Sequence, residues 1–234
     1  MDATLRLYRA TYWFGQGSAS SVAIGMGPGE LLLISPPAGE VAPSLLNALA
    51  ELGTVTSLLA PNGNHRLGVR GGQERFPEAV LYAPELMLDR VGAKAVRGRP
   101  PRPMAELVER LPAGVELLVP PHVKRPDVVG HFATPAGGLW YLNDLVVNLD
   151  SLGKPPLSWL LGFLDFRVGL AVNGFGCRNV VVQDRPAFAR WFAEELERVP
   201  PIGAVFGHGE PVLQPEPFRG LAAEMRAALR VPAS

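Results

Sequence analysis

The chain has 234 residues, which suits one globular domain over 1–234 with a sizeable core. Its 22 basic and 22 acidic residues give a formal net charge of +0, so there is no general electrostatic case for nucleic acid or an anionic membrane as partner. A single cysteine excludes an intramolecular disulfide and a cysteine-rich zinc site, and no stretch has the length of a membrane-spanning helix. The segment Met1 to Arg9 lacks a long apolar run and a cleavage signal, so a soluble cytoplasmic protein is expected. Glycine (26) and proline (24) are plentiful but scattered, which fits many tight turns in a mixed α/β chain rather than disorder.

In chain order, Ser21 to Met26 and Glu30 to Ser35 read as strands, joined as a hairpin by the turn Gly25-Met-Gly-Pro-Gly29. Ser44 to Leu52 reads as a short helix with Leu45, Leu46, Leu49 and Leu52 on one face, and Gly53 is expected in the left-handed position after its end. Thr54 to Leu59 is a buried strand that leads into Ala60-Pro-Asn-Gly-Asn-His65. Val80 to Ala83 is a strand, Met104 to Leu111 a helix and Val115 to Val119 a strand. Val128 to Phe132, Leu139 to Leu142 and Leu145 to Leu149 form a run of strands, with Asn143-Asp144 as a two-residue hairpin turn. Asp184 is placed to cap a helix carrying Phe188, Trp191, Phe192, Leu196 and Val199 on one face. Ile202 to Phe206 is a strand delivering Gly207-His208-Gly209, and Phe218, Leu221, Met225 and Leu229 mark a last helix. The expected architecture is two successive α/β halves with mostly antiparallel strands and helices outside the sheets.

Few side chains are candidates for chemistry. The histidines are His65, His122, His131 and His208. Asn62 and Asn64 suit a tight loop, because asparagine tolerates left-handed backbone and bonds its own chain. His131, beside Phe132 on a strand, reads first as a sheet residue, and His122 as a loop residue. Cys177 in Gly174-Phe-Gly-Cys-Arg178 invites a nucleophile reading through Arg178, but a lone cysteine is more often a small buried apolar group. Gly68 to Gly72 lacks the Lys-Ser/Thr of a nucleotide loop and reads as the turn after His65. Arg66 and Arg70, which flank that turn, would favour an anionic group. Pro156 to Phe166 reads as a core helix with a partial interface role; a self-associating chain would most simply form a symmetric dimer.

This order of parts resembles the metallo-β-lactamase fold over nearly the whole chain, and the resemblance implies an α/β, four-layer αββα sandwich. That family's loop reads His-x-His-x-Asp-His; aligned on His65, its first two histidines become Ala60 and Asn62 and its aspartate becomes Asn64. An aspartate usually stands where Ser35 is. The family's later aspartate matches Asp150 and its last histidine matches His208. The histidine between them matches His131, with His122 as rival. Ser35-Pro-Pro37, Pro61-Asn-Gly-Asn-His65 and Phe76-Pro-Glu-Ala79 resemble more specifically a degenerate branch described as domain-of-unknown-function 4336.

The resemblance implies that the three-histidine half of a dinuclear site, here Ala60, Asn62 and His131, has lost two ligands. The other half, Asn64, His65 and His208 with Asp150, keeps two histidines and a carboxylate. Such a set could hold one divalent ion (zinc, iron or manganese) with an open position, with water activated there as nucleophile and Asp150 as ligand or general base. Two functions follow from it: a mononuclear metal-dependent hydrolase of a small-molecule substrate, or a metal-free descendant that binds a small ligand or a protein. Under the second, His65 bonds loop carbonyls, Asp150 caps a turn and His208 fills a polar pocket.

Overall fold

The computed structural model describes residues 6–13, 18–153, 155–163 and 166–232. These divide into two compact units, Met1–Glu116 and Leu117–Ser234. In the first lie β1 (Leu7–Trp13), β2 (Ser18–Gly27), β3 (Glu30–Ile34), α1 (Ala42–Leu52), β4 (Thr54–Leu59), α2 (Val69–Arg75), β5 (Val80–Ala83), α3 (Leu88–Gly92), β6 (Arg102–Pro103) and α4 (Met104–Val108). After them come β7 (Val115–Leu118), which spans the boundary, then β8 (Val129–Thr134), β9 (Gly137–Leu142), β10 (Val146–Leu149), α5 (Leu157–Phe163), β11 (Gly169–Val172), α6 (Gly174–Gly176), α7 (Arg185–Arg198), β12 (Pro201–Phe206) and α8 (Leu221–Leu229). Among the described residues no helix is long and apolar enough to cross a membrane.

The first unit is built on a six-stranded sheet in the order β1-β2-β3-β4-β5-β6. The expected hairpin is present: β2 and β3 pair antiparallel, and β1 extends the sheet with Leu7 opposite Ile24. From β3 onward, however, the neighbours β3–β4, β4–β5 and β5–β6 all run parallel. The expectation of mostly antiparallel pairing therefore fails here, because the chain returns through α1, α2 and α3 in turn before each new strand, and such crossovers make parallel neighbours. Leu31, Leu33, Leu46, Val55, Leu58 and Val69 belong to one apolar cluster, so alternate residues of β3 meet α1 and α2 on the same side.

Two glycine readings need correction. Gly53 has φ 163, which is extended rather than left-handed. Glycine is required there for a different reason: a Cβ would lie 2.7 Å from the carbonyl oxygen of Gly29 and 3.2 Å from Leu31. Gly68 to Gly72 is not a simple turn, since Gly68 precedes α2 and the other residues are helical. Two adjacent glycines carry poor intrinsic propensity, and the helix forms because it packs. A Cβ on Gly68 would overlap the carbonyl oxygens of Pro36 and Pro37, and Gly72 lies against the Pro36 ring.

The second unit has a four-stranded sheet ordered β12-β9-β8-β7 and a separate antiparallel pair, β10 with β11. Asn143-Asp144 is thus not a hairpin turn. It is the point where the chain leaves β9 for a different sheet, so β9 and β10 never pair. Within the larger sheet β8 and β9 are antiparallel while β9 and β12 are parallel. The core joins Trp140, Leu142, Phe188, Phe192, Phe206 and Met225, bringing α7 and α8 onto this sheet. As expected, Asp184 caps α7 by accepting from the Ala187 N–H at 3.1 Å.

Within the apolar stretch Pro156–Phe166, α5 spans Leu157–Phe163, but Trp159 is 73% exposed and Phe163 85% exposed, so these two side chains are not core. They lie four apart, on one helical face. The side chains of 157, 160 and 161 and residues 164 and 165 lie outside the described residues.

Candidate functional site

Each unit presents polar side chains at the carboxyl ends of parallel strands, the usual place for a ligand site in open α/β sheets. In the first unit β3 and β4 end side by side, and the Ser35 N–H donates to the Leu59 carbonyl at 2.8 Å. Ser35 is fully buried with φ 54, an uncommon left-handed conformation for a residue other than glycine. The hydroxyl of Ser21 holds it by donating to the Ser35 carbonyl at 2.6 Å. This conformation aims the Ser35 hydroxyl at His65, with Oγ 2.7 Å from Nδ1.

His65 is buried in a loop that the Asn62 side chain helps to organise. Asn62 Oδ1 accepts from the backbone N–H of Asn64 at 2.7 Å and of His65 at 3.0 Å. The expectation that the asparagine bonds its own chain is met at Asn62, which is itself buried. Asn64 is exposed, and its N–H is one of the two donors that Asn62 gathers. Ala60 is fully buried in the apolar cluster with Leu58. Arg66 Nη1 donates to the Arg90 carbonyl at 3.0 Å, a structural contact within the same unit, and Arg70 is exposed on α2.

In the second unit the parallel neighbours β9 and β12 end together, and the Gly207 N–H donates to the Leu142 carbonyl at 2.8 Å. This brings Asp144 and His208 into contact, with Nε2 of His208 3.2 Å from Oδ1 of Asp144. Their side chains are 25% and 16% exposed, so the pair can reach solvent or a ligand. A third residue, Asp127, fixes the loop. Only 1% exposed, it accepts from Asn143 Nδ2 at 2.8 Å through Oδ1 and from the Asp144 N–H at 2.9 Å through Oδ2. Tyr141 donates its hydroxyl to Asn143 Oδ1 at 3.1 Å, and Asn173 Nδ2 donates to the Asp144 carbonyl at 3.0 Å. His208 is held on its other side by the turn into Gly209, which has φ 94 and whose Cβ, were there one, would overlap the Asn148 carbonyl.

Asp150 does not take the place the sequence assigns to it. It is exposed beyond the end of β10, in the other sheet of this unit, and the carboxylate on His208 is that of Asp144. A sequence signal for Asp144 did exist, since it stands two residues after the end of β9. Its use required knowing that β9 and β12 are parallel neighbours. Asp127 carried no local signal at all.

His131 is also apart from this pair. It lies on β8 opposite Trp140, and the two rings are 4.3 Å apart by centroid. Trp140 packs on Phe192 of α7, so His131 shares the helix-covered face of the sheet. Its Nδ1 lies 3.1 Å from Arg198 Nη2 and 3.8 Å from Glu195 Oε2, both on α7. His122 is an exposed loop residue with φ 61 whose carbonyl accepts from the Gln183 N–H at 2.8 Å. Cys177 is completely buried, with Sγ 3.7 Å from the Leu145 carbonyl, and burial, followed by the negative charges of Asp127 and Asp144, pushes its thiol pKa far up. Such a thiol is not a nucleophile at neutral pH.

No protein-family model and no curated protein sequence matches the chain. Solved structures do. A metallo-β-lactamase from Pontibacter korlensis superimposes with a TM-score of 0.58 at 13% identity, over 98% of this chain and 96% of that one. A metallo-β-lactamase from Hirschia baltica does so with a TM-score of 0.57 at 8% identity, over 100% of this chain and 97% of that one. Identities this low speak for architecture alone, and on that ground the chain has the metallo-β-lactamase fold.

Proposed function

We propose that this chain is a metal-dependent hydrolase holding one divalent ion, with Asp144 and His208 as ligands. The observation that carries the reading is the Asp144–His208 pair, presented at adjacent strand ends and braced by a buried carboxylate. The donor pair fits such an ion: an imidazole and a carboxylate suit zinc, ferrous iron or manganese and leave positions open for water and substrate. In the first unit Ser35 engages Nδ1 of His65 and so orients that ring.

A bound cation would supply Lewis acidity toward a carbonyl or phosphoryl oxygen. The chain's residues do the rest of the positioning. Asp127 fixes the backbone that carries Asp144, Asn62 fixes the backbone that carries His65, and Ser35 sets the ring of His65. The motifs around Ser35-Pro-Pro37 and His65 favour placing the chain in the degenerate branch of the superfamily. The fold by itself does not choose among ester, thioester, phosphoester and lactam substrates.

The test is elemental analysis of protein made without a histidine tag, after supplementing zinc, iron and manganese in turn. The expected result is about one ion per chain, lost in Asp144→Ala and His208→Ala but kept in Asp150→Ala. Loss in Asp150→Ala with retention in Asp144→Ala would return the carboxylate role to Asp150. No metal under any supplement would overturn the hydrolase and leave a metal-free ligand- or protein-binding module.

A further inference from the structure

The second unit contains a cleft that takes no part in the metal proposal. Its volume is about 280 Å³, and its lining includes Arg167, Arg178, Arg230, Glu224, Gly174 and Ala227. The three arginines come from separate stretches: ahead of β11, after α6 and just beyond α8. Nη1 of Arg178 donates to the Ala228 carbonyl at 2.6 Å, which pins its guanidinium over the last turn of α8. Arg230 has φ 58, the left-handed position after a helix where glycine is the low-cost residue. Glu224 engages its Oε1 with the Val172 N–H at 3.0 Å.

Among the described residues this lining carries three guanidinium groups and one carboxylate. The negative end of the α8 dipole offsets roughly half a positive charge. A lining with several guanidinium groups favours an anion electrostatically. Guanidinium forks match phosphate and carboxylate oxygens in pairs, and the small residues Gly174 and Ala227 let a ligand approach the backbone. The volume lies near the lower end for small-molecule sites, enough for an oxyanion head and a few carbon atoms.

We propose that this cleft is a binding site for a small oxyanion ligand, a phosphate monoester or a dicarboxylate, held by Arg167 and Arg230 with Arg178 as the fixed third cation. The site is independent of the metal proposal and stands if that one fails.

Calorimetric titration of the full chain, with chelator present, tests it using inorganic phosphate, pyrophosphate and succinate against sodium chloride at matched ionic strength. Saturable binding of at least one of the three is expected, weakened about tenfold or more in Arg167→Ala and in Arg230→Ala with the Tm of the unliganded protein unchanged. A response to the two phosphates alone, or to succinate alone, identifies which oxyanion the cleft takes. His208→Ala should bind as the parent does. Absence of saturable heat for all three probes, binding unchanged in both arginine variants, or binding abolished by His208→Ala would overturn the proposal.

Discussion

The His65 loop and the Asp144–His208 pair are both mounted at the carboxyl ends of parallel strands, yet they are braced in opposite ways. The first is held largely from within: Asn62 bonds the N–H groups of residues two and three positions ahead, and Arg90 adds a distant contact by donating from Nε to the Gly63 carbonyl at 3.1 Å. The second is held from afar. Asp127 reaches Asp144 across 17 positions of sequence, and Asn173 reaches it across 29. A local brace needs only a short sequence and a turn. A distant brace needs the sheet to be complete, so the pair it holds is as stable as the unit around it.

That contrast can be broken by substitution. The largest effect is expected at Asp127→Ala, which leaves the buried Asn143 amide and the Asp144 N–H without their acceptor. The loss should be about 2–5 kcal/mol, read as a lower midpoint in urea unfolding. Asn62→Ala should cost about 1 kcal/mol, because one of the two donors it serves is on the exposed residue Asn64. Asn62→Asp, which keeps the acceptor, should recover most of it. Equal losses at the two sites would remove the distinction between a local and a distant brace.

The smallest effect at neutral pH belongs to Cys177, behind the second brace. Its folded pKa is raised above the unfolded value of about 8.5. The unfolded chain therefore releases the thiol proton first as pH rises, while the native state keeps it. Stability should be unaffected below that value and fall above it, and Cys177→Ala should flatten the alkaline slope of unfolding free energy. The native thiol should also stay unreactive toward an alkylating reagent until the unit opens; rapid labelling of the folded protein would show that the brace region is looser than its hydrogen bonds imply.

The same division decides what could be read from the sequence. The hairpin before β3, the Asn62 turn, the Asp184 cap and the apolar face of α7 all rest on residues a few positions apart, and each was legible. β1 was missed, and so was α2, whose adjacent glycines speak against a helix until the contact with Pro36 is known. The break after β9 was read as a hairpin because Asn-Asp between apolar runs is good turn chemistry, and only the choice of sheet partner shows otherwise. Asp150 was singled out by the resemblance, which aligns the family's later aspartate with it, and nothing local to Asp144 pointed to its contact with His208. The arginine cleft, assembled from three stretches, could not be found from spacing at all.

The buried amide of Asn62 also makes the present loop hard to alter. Placing histidines at positions 60 and 62 would require an imidazole inside the apolar cluster around Ala60 and would remove the oxygen that now folds the loop. Each imidazole gained would cost the geometry that presents His65. Engineering a histidine-rich loop here would therefore mean rebuilding the turn first.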